Sequence, residues 1–174
     1  MAALQRVKQF WHAIMDTLDP KEIEFVQKSL NKQEQSLFYA MDRPTQTHCV
    51  RVAKTCLELS ASQKNLNTEL LVKAALLHDI GKPANCITTL DKVLIVLLTT
   101  FAPKMFQNIL HSDKGGRFID ACKNHSNHPV KGAALAERAH LPAQQVLLIR
   151  NHHNPPKPDD SPELVLLRKA DELN

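Results

Sequence analysis

His78 and Asp79 stand side by side at the end of an apolar run, inside the stretch Ala-Ala-Leu-Leu-His-Asp-Ile-Gly-Lys from Ala74 to Lys82. An ionised carboxylate in such surroundings is costly to bury unless it is partnered. A divalent metal ion is one such partner, and other side chains suited to ligation are spread along the chain. His48 precedes the pair; His128, His152 and Asp171 follow it. His78 shares a helical face with Leu71 and with Ala74 or Ala75, so it points inward. Asp171 shares a face with Leu164 and Leu167, and a carboxylate on an apolar stripe calls for a partner. Taken singly, each residue has a plainer reading. His78 and Asp79 could pair with each other to end a helix, His48 could sit exposed near a helix start, and Asp171 could lie at the surface beside Glu172. Mixed imidazole and carboxylate ligands suit manganese, iron, cobalt, nickel or zinc, without choosing among them, and suit magnesium less well.

Read in order, His48, His78-Asp79, His128, His152 and Asp171, with Gly81 and Lys82 directly after the pair, resemble the HD-domain metal-dependent phosphohydrolase superfamily in its His-Asp-Ile-Gly-Lys form. The resemblance covers residues 36 to 174 and leaves 1 to 35 as N-terminal helices packing on the HD domain. It implies His48, His78, Asp79 and Asp171 as the minimal metal site. His128, in a segment similar to the His-x-x-x-Gly-Ala pattern of dinuclear members, and His152, opening the His152-His153 pair, extend the set toward a second ion. Asp79 would then be the catalytic carboxylate shared by both ions. Lys82 occupies a position that is commonly basic and contacts substrate. Arg51, three residues after His48, and Lys131, three after His128, are further candidates for phosphate contact, with solvated surface positions as the competing reading. His153 is left between substrate contact and ligation. Asn154-Pro155-Pro156 stands where the cyclic-di-GMP branch carries Gly-Tyr-Pro, which argues against that substrate.

The chemistry so implied is hydrolysis of a phosphoester or phosphoanhydride bond, with a metal lowering the pKa of its bound water from 15.7 to about 7. The substrate would be a nucleotide or a related small phosphorylated metabolite. Diadenosine tetraphosphate hydrolases share the ligand order, but the segment from Thr88 to Arg117 is a long insertion here and puts that substrate in doubt. Two other classes use the same frame: a mixed-valence di-iron oxygenase with the same six ligands, and a non-catalytic nucleotide-binding signalling module, which would be marked by a lost ligand. No P-loop, Rossmann glycine pattern or Ser-His-Asp order competes. Of the other histidines, His12 reads as structural, His140 as a helix-end residue, and His111 and His125 as members of solvated loops.

The elements that must position these residues are helices. At 174 residues the chain suits one domain, with four glycines and few β-branched runs. The net charge of +4 fits a small anionic substrate and falls short of a nucleic-acid-binding signature. The longest apolar run, Val93 to Leu98, is too short to span a bilayer. Polar residues interrupt the N-terminus, so no signal peptide is expected. Cys49, Cys56, Cys86 and Cys122 form no CxxC pair, and a reduced, cytoplasmic protein is expected. Helices are expected over 2–18, from Asp19-Pro20 onward, over 45–59 with His48 near its start, and over 68–80 with His78-Asp79 at its end. A short apolar piece falls at 36–41. Further helices follow over 87–100, 103–111, 116–123, 129–140 and 142–152, with Pro129 and Pro142 at first turns. Gly81 is expected to take the left-handed conformation that ends a helix. A proline-rich loop over 154–161 leads to a last helix begun by Ser161-Pro162. The fold class expected is all-α.

Overall fold

The computed structural model describes residues 17–61, 63, 65–82, 89–112 and 115–174, and these form nine helices and no strand. The expected helix over 2–18, His12 and Cys86 fall outside them, apart from the last two residues of that helix. Most helix starts carry a side-chain cap, which supplies the acceptor that the first backbone N–H groups lack. Asp19 and Glu22 form a capping box at α1 (Pro20–Ser29), and Asn31 and Glu34 form another at α2 (Lys32–Tyr39). Asp42 caps α3 (Arg43–Ser60), Asn67 caps α4 (Thr68–Leu77), and Ser161 caps the last helix, α9 (Pro162–Leu173). Between α4 and α9 lie α5 (Thr89–Phe101), α6 (Pro103–Leu110), α7 (Arg117–Arg138) and α8 (Ala143–Asn151).

Two apolar clusters organise these helices. The main one gathers α1 to α4, the second half of α7, α8 and α9 around Leu71, Leu76, Leu77, Ile149 and Leu167. Val26 and Leu30 of the N-terminal helices and the buried thiols of Cys49 and Cys56 belong to it. Burial pushes the Cys56 thiol up to about 12, so it packs as a small neutral side chain. The smaller cluster joins Ile95, Phe106, Ala121 and Cys122, from α5, α6 and the first half of α7.

Polar ties fix the helices that carry the candidate ligands. Glu163 at the start of α9 accepts the Asn67 N–H at the start of α4 (3.0 Å). Asn174 donates to Thr55 of α3 (2.9 Å). Arg168 on α9 donates twice to the Asn151 carbonyl (3.2 and 3.0 Å) at the end of α8, which also accepts the Asn154 N–H. The start of α4, the middle of α3 and the end of α8, next to His152, are thereby each tied to α9.

Two expectations are corrected here. Residues 116–123 and 129–140 are not separate helices: α7 runs from Arg117 to Arg138 with Pro129 inside it. Proline cannot donate to the carbonyl four residues back, and the freed His125 carbonyl instead accepts from His128 Nδ1 at 2.5 Å. Gly81, in turn, does not take a positive φ; among the described glycines only Gly116 does. Its role is close approach. A Cβ at Gly81 would fall on the His128 carbonyl oxygen and the Gly132 amide nitrogen, both backbone atoms. Gly132 faces it across the contact, with Gly81 N 3.2 Å from where its own Cβ would stand. The turn after Asp79 can therefore press directly on α7. No helix of the described residues is long and apolar enough to cross a membrane.

Candidate metal centre

Three histidines are oriented by one device. His78 and His152 are the C-cap residues of α4 and α8, where carbonyls lack their helical partners. His78 Nδ1 donates to the Ala75 carbonyl (2.8 Å) and His152 Nδ1 to the Ile149 carbonyl (2.7 Å). His128 does the same with the carbonyl that Pro129 releases. In each ring Nδ1 is committed as donor and Nε2 is left to face inward, the tautomer control that metal-binding imidazoles require.

These Nε2 atoms converge on Asp79, which is fully buried. Its two oxygens face different partners. Oδ2 lies 3.4 Å from His78 Nε2 and 3.8 Å from His48 Nε2, and pairs with the Lys82 ammonium. Oδ1 lies 3.1 Å from His128 Nε2 and 3.9 Å from His152 Nε2. Asp171 completes the first side, its Oδ1 3.0 Å from His48 Nε2 and 3.5 Å from His78 Nε2. His153 stands beside both, its Nδ1 3.9 Å from Asp171 Oδ2 and its ring 4.2 Å from that of His152. Three groups can each hold an ion: His48 with His78 and Asp79; His78 with His152 and Asp171; and His128 with His152 and His153.

The electrostatics reflect how closely these groups are packed. Burial alone would raise Asp79, but His78, Lys82 and His128 outweigh it and hold its carboxyl well below the usual range. Asp171 is likewise held low, by His48 and His78 against its own burial. Burial would lower His78, yet Asp79 above all raises it well past the ordinary imidazole value. Burial, reinforced by neighbouring histidines, pushes His152 well down, and burial takes His153 to about 4. His152 and His153 are thus neutral near pH 7, as ligation requires.

The residues fit a divalent cation. His78 Nε2 and Asp79 Oδ1 are buried without a properly directed hydrogen bond. The Nε2 atoms of His128 and His152 stand 3.2 Å apart. Both Nδ1 atoms donate to carbonyls, so both Nε2 positions remain for one shared cation. A histidine-rich set with two carboxylates is the chemistry of a borderline transition metal.

A cleft of about 1020 Å³ opens over the cluster, lined by His48, His125, His152, His153 and Asp171 with Lys82 among them. Of the residues expected to meet a phosphate, Lys82 and His153 line it. Arg51 does not line it, and Lys131 turns its ammonium to Asn124 on the exposed face of α7. His111 is exposed at the end of α6, as expected for a solvated residue. His125 is a correction. It belongs to α7 rather than to a loop, lines the cleft, and is pushed by burial down to about 3. Its place one turn before His128 was a readable signal, hidden by reading Pro129 as a helix start.

The HD-domain family model matches residues 45–174, a span holding all six candidate ligands. No curated protein and no solved structure matches the chain significantly.

Proposed function

The chain belongs to the HD-domain family, whose members are mostly metal-dependent hydrolases, and from that premise we propose that it hydrolyses a phosphoester or phosphoanhydride bond of a nucleotide or related small phosphorylated metabolite. The observation that carries this reading is the division of Asp79: one oxygen faces His78 and His48, the other His128 and His152. That division supports two adjoining cation positions, each of which would draw on Asp79. The first would be held by His48, His78, Asp79 and Asp171, the second by Asp79, His128 and His152. A bound divalent ion would supply Lewis acidity toward a phosphoryl oxygen and acidify a water.

The chain's own groups do the rest. The three Nδ1–carbonyl bonds keep the imidazoles from turning away. Lys82 lines the cleft with its side chain 31% exposed, buried enough for its charge to act and open enough to reach a bound anion. Asp79 and Asp171 raise its pKa against the lowering effect of burial, so it stays protonated and can offset charge on a phosphate. His153, half exposed beside Asp171, faces the same space.

The test is release of inorganic phosphate from a panel of nucleoside mono- and polyphosphates by the metal-loaded protein. Wild type cleaves at least one member, and Lys82→Ala keeps its metal while turnover falls by about 10²–10³-fold, as when one preorganised donor is lost. No cleavage of any phosphorylated compound by metal-loaded wild type would refute the proposal.

A further inference from the structure

One wall of the cleft is built without any of the metal-holding residues. His125 on α7 and Val96 and Thr99 on α5 line it, and among the described residues none of them belongs to a group able to hold an ion. The His125 ring is braced from behind. Phe106 meets it edge-on at 6.4 Å between centroids, and the His128 ring lies 5.8 Å away. Thr99 donates its hydroxyl proton to the Ile95 and Val96 carbonyls (2.9 and 3.1 Å), so what remains for the cleft is an oxygen acceptor. Val96 adds apolar surface beside it. The wall thus combines a braced aromatic ring, an aliphatic patch and a hydrogen-bond acceptor, one helical turn from a metal ligand.

We propose that His125, Val96 and Thr99 form a nucleobase subsite, taking the planar heterocycle of a nucleotide whose phosphate lies at the metal centre. This rests on the phosphohydrolase reading for the position of the phosphate. A flat, mostly desolvated ring is the surface on which a base stacks, and stacking accepts purines and pyrimidines alike because every base has a π face. The part of the lining that α9 contributes is a poorer platform. Val165 there is 50% exposed, and the charged Lys169 and Glu172 flank it.

Binding separates the two claims. The probes are inorganic phosphate and two phosphonates in which carbon replaces the ester oxygen, so that none is turned over: the analogue of adenosine monophosphate and the same compound without its base. Calorimetry on the metal-loaded full chain should show the base-bearing probe binding about tenfold more tightly than the base-free one, within the range of a stacked base. His125→Ala should erase that advantage while phosphate affinity and metal content stay unchanged, and His125→Phe, which keeps a stacking ring, should retain it. Val96→Glu, on the cleft side of α5, should also erase it with His125 intact. An advantage that survives His125→Ala, or is absent from wild type that still binds phosphate, overturns the subsite and leaves the phosphohydrolase reading standing. Failure of wild type to bind any of the three probes overturns both.

Discussion

The metal side and the substrate side of the cleft rest on cores of very different thickness. Behind the ligands, α3, α4, α8 and α9 share a cluster that includes Leu71, Leu76, Ile149 and Leu167, all fully or almost fully buried. Among the described residues, α5 and α6 lean on a cluster of four buried side chains, Ile95, Phe106, Ala121 and Cys122, and leave Leu94, Leu97, Phe101 and Met105 exposed. The helix α7 belongs to both, with Gly132, Ala133 and Ala136 in the thick part and Ala121 and Cys122 in the thin one. The difference follows from what each side must do. Ligand atoms have to hold fixed positions, so they sit on helices locked by a deep core, His78 and His152 as helix C-caps. A wall that receives the variable part of a substrate tolerates a lighter element.

The largest expected effect breaks the thick side. Gly81→Ala would drive a methyl group into the backbone of α7 at His128 and Gly132. Rigid backbone cannot yield as a flexible side chain does, so denaturant unfolding should show a loss of about 4 kcal/mol or more, the range reserved for severe core defects. A loss under about 1 kcal/mol would mean that the turn and α7 are free to separate. On the thin side, Phe106→Ala removes the largest side chain of the small cluster, a change costing about 3 kcal/mol in a closed core. Here the cost should stay local: amide exchange should rise across α5 and α6, with α3, α4 and α9 still protected and metal content unchanged. Global unfolding at the same denaturant midpoint shift would show one cooperative core instead of two. The smallest effect lies where the regions meet. Pro129→Ala returns an N–H to compete for the His125 carbonyl that now orients His128. Helix stability should hold or rise, while affinity for the ion on the His128 side falls about tenfold, as when an imidazole loses its outer partner. Unchanged affinity would make the Nδ1 contact incidental.

The thick side was also the legible side. The apolar spacing around His78 and Asp171 pointed both residues inward, and both are there. Ser161-Pro162 marked the start of α9. Two features were misread for physical reasons. Pro129 reads as a helix start in any local window, because only tertiary packing supports a proline inside a helix and only the fold shows the carbonyl it frees. That misreading also hid His125. Gly81 suggested a left-handed cap, whereas the need for glycine comes from α7, some fifty residues further along the chain, which no local pattern reveals. For Lys131, three residues after His128 on the same helix, the spacing left cleft and solvent open, and its ammonium turns to Asn124.

The central claim is that Asp79 joins His48, His78 and Asp171 on one side and His128 and His152 on the other around bound divalent metal. Elemental analysis of the purified full chain, beside the Asp79→Ala variant checked for intact helix content, tests it most directly. Wild type should carry at least one equivalent of a divalent transition metal, and the folded variant almost none. A folded Asp79→Ala protein that keeps the full wild-type complement would contradict the claim.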